Sequence, residues 1–108
     1  MIYIEIVYKD NNISSLKVSG HSYFDDKGQD IICAGVSAIC QQLGHSLVRL
    51  TEFSGVIEGQ EGIFKVVLTE KDLADKKIKL LLDSSVLGLK GIYNSYRGFI
   101  KIKEITEE

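Results

Sequence analysis

"DIICAGVSAICQQLGHSLVRLTE", residues 30–52, decides how the rest of the chain is read. Ile32, Val36, Ile39, Leu43, Leu47 and Leu50 recur at spacings of 4, 3, 4, 4 and 3, which is one buried stripe of a helix. Asp30 suits the N-cap, because its carboxylate can accept from a backbone N–H of the first turn. The spacing predicts a helix running to about Glu52. Gly35 and Gly44 each cost about 1 kcal/mol of helix propensity relative to alanine. Their presence implies that the helix packs closely on something.

The segments on either side read as strands. Upstream, "IYIEIVYK" alternates apolar and polar residues, as a half-exposed strand does. Asp10-Asn11-Asn12 signals a turn. "ISSLKVSG" then sets Ile13, Leu16 and Val18 in imperfect alternation and completes a hairpin that Gly20 ends. Residues 21–29 form a polar loop. Downstream, "SGVIEGQEGIFKVVLT" reads as a second hairpin, turning near Gly59 to Gly62. A second helix starts at about Glu70, with Ala74, Ile78, Leu81, Leu82, Leu89, Ile92, Tyr93 and Tyr96 at helical spacing. Gly88 and Gly91 are expected to bend it or end it early. "GFIKIKEI" alternates again as a last strand. The order β-β-α-β-β-α-β predicts a two-layer α+β domain over residues 1–108. In it, two helices pack on a mostly antiparallel or mixed sheet.

The chain has 108 residues, 44% hydrophobic and 26% charged, with no proline. A chain of this size buries roughly 65% of its unfolded surface, so its core requires no metal or disulfide. The net charge is −2. Lys76, Lys77 and Lys79 interleave with Glu70, Asp72, Asp75 and Asp83, which reads as a solvated helix face rather than a basic stripe. No direct nucleic-acid partner is expected. The N-terminus lacks the basic start and cleavage site of a signal peptide. The longest apolar runs fall short of the roughly 20 residues of a membrane span. A cytoplasmic protein with no membrane partner and two free thiols is the expectation.

The chemistry-bearing residues gather where the first helix begins. With Asp30 as N-cap, Cys33 is the third helical residue, at the positive end of the helix dipole, a position that favours thiolate over thiol. His21 leaves the end of a strand facing the same loop. An imidazole within hydrogen-bond reach of a thiolate is the minimal machinery of nucleophilic acyl transfer. Cys33 has a second reading, as a small buried hydrophobe. Ser37, one turn on, either orients a catalytic group or bonds back to the Cys33 carbonyl. Asp30 is either a cap or the third member of a triad. Cys40 lies seven residues beyond Cys33, so about 10 Å separates them along one helix, too far for a disulfide. Cys40 reads as core and His45 as a solvent-side or half-buried residue. His21, Cys33, Cys40 and His45 cannot converge as zinc ligands, because three of them would lie along one long helix. No metal or other cofactor is expected.

"GHSYFDDKGQDIICAGVS", residues 20–37, resembles the signature of Prp, the bacterial ribosomal-processing cysteine protease family. That signature is a Gly-His pair, a short loop closing on glycine, then Asp, two aliphatics, Cys, Ala, a small residue, an aliphatic and Ser. Gly20, His21, Gly28, Asp30, Cys33, Ala34 and Ser37 occupy matching places, and Ser22 stands where alanine is common. The length and element order match over the whole chain. The resemblance implies a small cytosolic homodimer. It would remove a short N-terminal extension from the precursor of ribosomal large-subunit protein twenty-seven. It further implies Cys33 as nucleophile and His21 as general base and acid, with Asp30, Ser37 and Gly20 supporting. The loop 22–29, with Gly28, would then shape the substrate cleft. Tyr23 and Phe24 would line an apolar groove there, or else anchor the loop to the core. Two other readings differ in class: a non-catalytic ribosome-associated binding module of the same fold, and a hydrolase of small thioesters or amides.

Overall fold

Strands β1 (Ile2–Lys9) and β2 (Asn12–Gly20) form the first hairpin, antiparallel and joined by two residues. Asp10 at φ 51° and Asn11 at φ 67° supply the left-handed pair that a type I′ turn requires. The imperfect alternation of β2 has a cause in the backbone. The register shifts between Val7 and Tyr8, which pair with Ser15 and Ile13. Ser14 is the extra residue of this bulge. Its hydroxyl donates to the Val7 carbonyl at 3.1 Å, and its carbonyl accepts the Leu68 N–H at 2.9 Å. The bulge lets Ile13 and Leu16, three positions apart, both face the core.

The computed structural model describes residues 1–20 and 31–107. Helix α1 (Ile31–Leu50) buries Ile32, Val36, Cys40, Leu43 and Leu47, with Ile39 half-buried against the same core. Leu50 departs from the expected stripe and is 68% exposed. It is the last helical residue, where the Thr51 hydroxyl closes the turn on the Leu47 carbonyl at 2.6 Å. By length and composition α1 could cross a membrane, which the count of apolar runs had not anticipated. Its exposed face carries Ile31, then small or uncharged residues as far as His45, then Val48, Arg49 and Leu50 in the last turn, and its apolar stripe belongs to the core.

The second hairpin is β3 (Val56–Gln60) and β4 (Ile63–Val67). The helix expected from Glu70 is two helices, α2 (Glu70–Leu73) and α3 (Lys76–Ser95). Thr69 and Asp72 make a reciprocal capping box at the start of α2. Asp75 then caps α3, its carboxylate accepting from the N–H groups of Lys77 at 2.8 Å and Ile78 at 3.2 Å. Asp72 is therefore no part of a solvated face. It is 1% exposed and accepts from the Ser54 N–H, the Ser54 hydroxyl and the Thr69 N–H, each at 2.9 Å. Neither Gly88 nor Gly91 ends α3. A Cβ on Gly88 would lie 3.1 Å from Ile39 Cδ1, and one on Gly35 would lie 3.3 Å from Ile92 Cδ1. Two reciprocal glycine–isoleucine contacts thus set how closely α1 and α3 approach.

A 3₁₀ turn, Arg97–Phe99, leads into β5 (Ile100–Glu107). The sheet order is β3-β4-β2-β1-β5, with β5 parallel to β1 and every other pair antiparallel. It is the mixed alternative of the expected α+β fold. Ile2, Ile4, Ile6, Leu16, Val18, Val66 and Ile100 meet α1 and α3 in one core.

Candidate active site

Cys33 is the third residue of α1, as the sequence predicts. The stripe that begins at Ile32 pins the helix to the sheet. Cys33, one position further round, is half-buried and opens on a cleft of about 730 Å³. Its backbone lies in the first helical turn, at the positive end of the dipole. Ser37 is exposed one turn on and lines the same cleft.

Gly20 lines the cleft from the sheet side. Its φ is +94°, and a Cβ there would come within 2.3 Å of the Met1 carbonyl oxygen. Only glycine fits this close approach. The Gly20 N–H donates to the Gly62 carbonyl at 3.0 Å, tying the end of β2 to the β3–β4 turn. The first residue of the Gly-His pair is thus fixed at the rim of the cleft that Cys33 enters. His21, Tyr23, Phe24, Gly28 and Asp30 lie outside the described residues.

Cys40 also reaches the cleft lining but is 5% exposed, and burial pushes its thiol up to about 12. Neither cysteine is in a disulfide. His45 is exposed on the same helix. Twelve residues at a rise of ~1.5 Å put it roughly 18 Å from Cys33 along the axis, beyond hydrogen-bond reach. The chain's other histidine is His21. Among the described residues, no group of three or more His, Cys, Asp and Glu side chains could hold a metal ion.

The structure adds residues that sequence reasoning missed. Gln41 continues the line of Cys33 and Ser37 at helical spacing, so periodicity could have found it. Gly44 meets Phe64 and Ile57 only because α1 crosses the second hairpin, and Gly59 of that hairpin lines the same cleft. β3 is an edge strand, and Ile57, Gly59 and Gln60 from it line the cleft. Its outer edge, with no strand on it among the described residues, is a template for an extended peptide. A half-buried thiol at a helix start, opening on such a cleft, is an arrangement suited to attack on a peptide carbonyl.

Comparison with known proteins agrees. The family described as cysteine protease Prp matches residues 1–101. The ribosomal processing cysteine protease Prp of Bacillus subtilis is 27% identical over 97 residues, covering 86% of this chain and 87% of the relative. The fold is similar to that of the essential ribosomal processing protease Prp from S. aureus with a covalently linked product peptide. That likeness has a TM-score of 0.89 at 23% identity and covers 96% of this chain and 99% of the other. SMU.848 from Streptococcus mutans is similar with a TM-score of 0.87 at 25% identity, covering 99% and 96%. With the match extending over nearly its whole length, the chain belongs to the Prp family of cysteine proteases.

Proposed function

We propose that this protein is an endopeptidase that removes the N-terminal extension of ribosomal large-subunit protein twenty-seven, acting in the cytoplasm as a homodimer. The observation that carries the reading is Cys33 in the first turn of α1, opening on the cleft that Gly20 also lines. The ribosomal processing role of the Bacillus subtilis relative supports the substrate class.

In this reading His21 takes the proton of Cys33, and the thiolate attacks the scissile carbonyl carbon. The C–N bond breaks as the imidazolium gives its proton to the leaving amine, which departs as the mature N-terminus. A thioester then joins Cys33 to the extension. Water, losing a proton to His21, hydrolyses it and restores the thiol. Gly20 holds the rim of the site, and Asp30 and Ser37 support it.

The test is intact-mass analysis of the extended ribosomal protein after incubation with this protein or with Cys33→Ala. A single mass loss with the wild type alone is expected. No loss with either protein sinks the substrate assignment, and loss with both sinks Cys33 as nucleophile.

A further inference from the structure

We propose that the open face of the sheet, the side turned away from the helices, binds a single strand of nucleic acid. A base stacks on Tyr3, and phosphates lie on Lys17, Lys65, Lys101 and Lys103. The proposal goes beyond the peptidase reading and does not rest on it.

Strand alternation assembles this face. Ile2, Ile4, Ile6, Leu16, Val18, Val66 and Ile100 point into the core. Tyr3, Glu5, Lys17, Lys65, Lys101 and Lys103 lie between or beside them on the same strands, so they point the other way. The register then sets them side by side. Tyr3 pairs with Lys101 on β5, and Glu5 pairs with Lys103 on β5 and Lys17 on β2. Lys17 pairs in turn with Lys65 on β4. Tyr3 thus has one lysine beside it and two more one pleat along, to either hand. Its ring is 52% exposed. Among the described residues no cation covers it, whereas Tyr93 carries Arg97 at 5.3 Å.

The lysines are equally uncommitted. Like charges directly opposite one another weaken a sheet, and Lys17 stands opposite Lys65. Glu5 and Glu58 lie in register with these lysines. Yet none of the four ammonium groups has an ion pair among the described residues, while those of Lys9, Lys79 and Lys90 do. An anion laid across the face relieves that repulsion. Three strand spacings of ~4.8 Å, about 14 Å in all, separate Lys103 from Lys65, which is room for a few nucleotides. Lysines follow a phosphate backbone as point charges, and an exposed ring stacks any base. An acidic peptide would use the lysines and leave the ring idle, so nucleic acid fits the whole face better. The net charge of −2 and the mixed run around Lys76 argued against such a partner. Neither reports on strands far apart in sequence that the sheet brings together. None of the four lysines lines the cleft that Cys33 enters, so the face and the cleft can be filled together.

The experiment is fluorescence anisotropy of a labelled oligouridylate of about twelve nucleotides, with oligothymidylate in parallel to tell RNA from DNA. Binding is expected at about 50 mM salt, its log K falling with log salt at a slope of about −2 to −3 for three or four phosphates. Lys17→Ala should make the slope shallower by about 0.7. Tyr3→Ala should weaken binding about fivefold or more at an unchanged slope, and Tyr3→Phe should restore it. Lys76→Ala, on α3, should change nothing. No binding with protein at about 0.5 mM overturns the proposal, as does an effect of Lys76→Ala equal to that of Lys17→Ala. Polyglutamate binding as tightly as either oligonucleotide, with no loss in Tyr3→Ala, also overturns it and makes the face a site for acidic protein. Cys33→Ala should bind like the wild type, so failure of the peptidase reading leaves this test untouched.

Discussion

Cys40 sits seven residues after Cys33 on α1, 5% exposed, with its thiol pushed up to about 12 by burial. At pH 8 it is almost wholly a thiol inside the core, while Cys33 is half-buried on the cleft. Alkylation follows thiolate fraction and access together. Iodoacetamide added to the native protein at pH 8 should therefore give one adduct, mapping to Cys33 by peptide mass analysis. A second adduct should follow only after denaturation. Early modification of Cys40 would show that the α1 core opens readily. At this scale the sequence was informative where a residue's role follows from its neighbours along the chain. Cys33 and Ser37 stand one helical turn apart, and the stripe assigns Cys40 to the core without any partner being known. Asp72 was unreadable for the opposite reason. It lies in a run of mixed charges, and its burial depends on Ser54, eighteen positions away.

The capping box opens α2, one of two elements that the helical spacing had merged. Burial alone would raise the Asp72 carboxyl. Hydrogen bonds from the Thr69 and Ser54 N–H groups and from the two hydroxyls outweigh it and hold the group below the usual carboxylate range. Asp72 thereby fastens the segment between α1 and β3 to the start of α2. Replacing it with alanine strands two part-buried N–H groups and should cost about 2–3 kcal/mol in urea denaturation at neutral pH. The sign of the pH effect follows from the lowered folded-state value. The contribution is fully present above the unfolded value of about 4 and is lost as pH falls through the folded one. The stability difference between wild type and Asp72→Asn should thus be similar at pH 7 and 5 and shrink at pH 3. An equal difference at pH 3 would show that the carboxylate charge is not what holds the corner. The same chemistry explains why one helix was expected over Glu70 to Tyr96. Thr69 and Asp75 are both good caps, but a single turn of α2 is too short to leave its own periodicity in the sequence.

Across the whole molecule, alternation marked β1 and β5 as strands but could not say that they pair, or that they run parallel. That pairing depends on α3 carrying the chain from β4 past β2 and β1 to the far edge of the sheet. The far end of the cleft was hidden likewise, since Phe64 meets Gly44 only through the crossing of α1. One carboxylate records the long-range closure. Glu104 on β5 accepts from the Tyr8 hydroxyl on β1 at 2.7 Å and from Lys90 Nζ on α3 at 2.8 Å. The Lys90–Glu104 pair is 38% and 44% exposed, so it adds little stability by itself, below about 1 kcal/mol. Tyr8 reports the junction more sensitively. Burial first, then the hydrogen bond and charge of Glu104, raise its phenol to about 12, against an ordinary value of about 10. Stability from this raised value is complete below about pH 10 and is lost as pH rises toward 12. Phenolate absorbance of the native protein should show one of its five tyrosines ionising last. Glu104→Gln removes the charge but not the burial, so that late step should move down part of the way toward 10, with little change in stability at neutral pH. A late step that stays in place would assign the shift to burial alone and leave β5 held to β1 by its backbone ladder and apolar face.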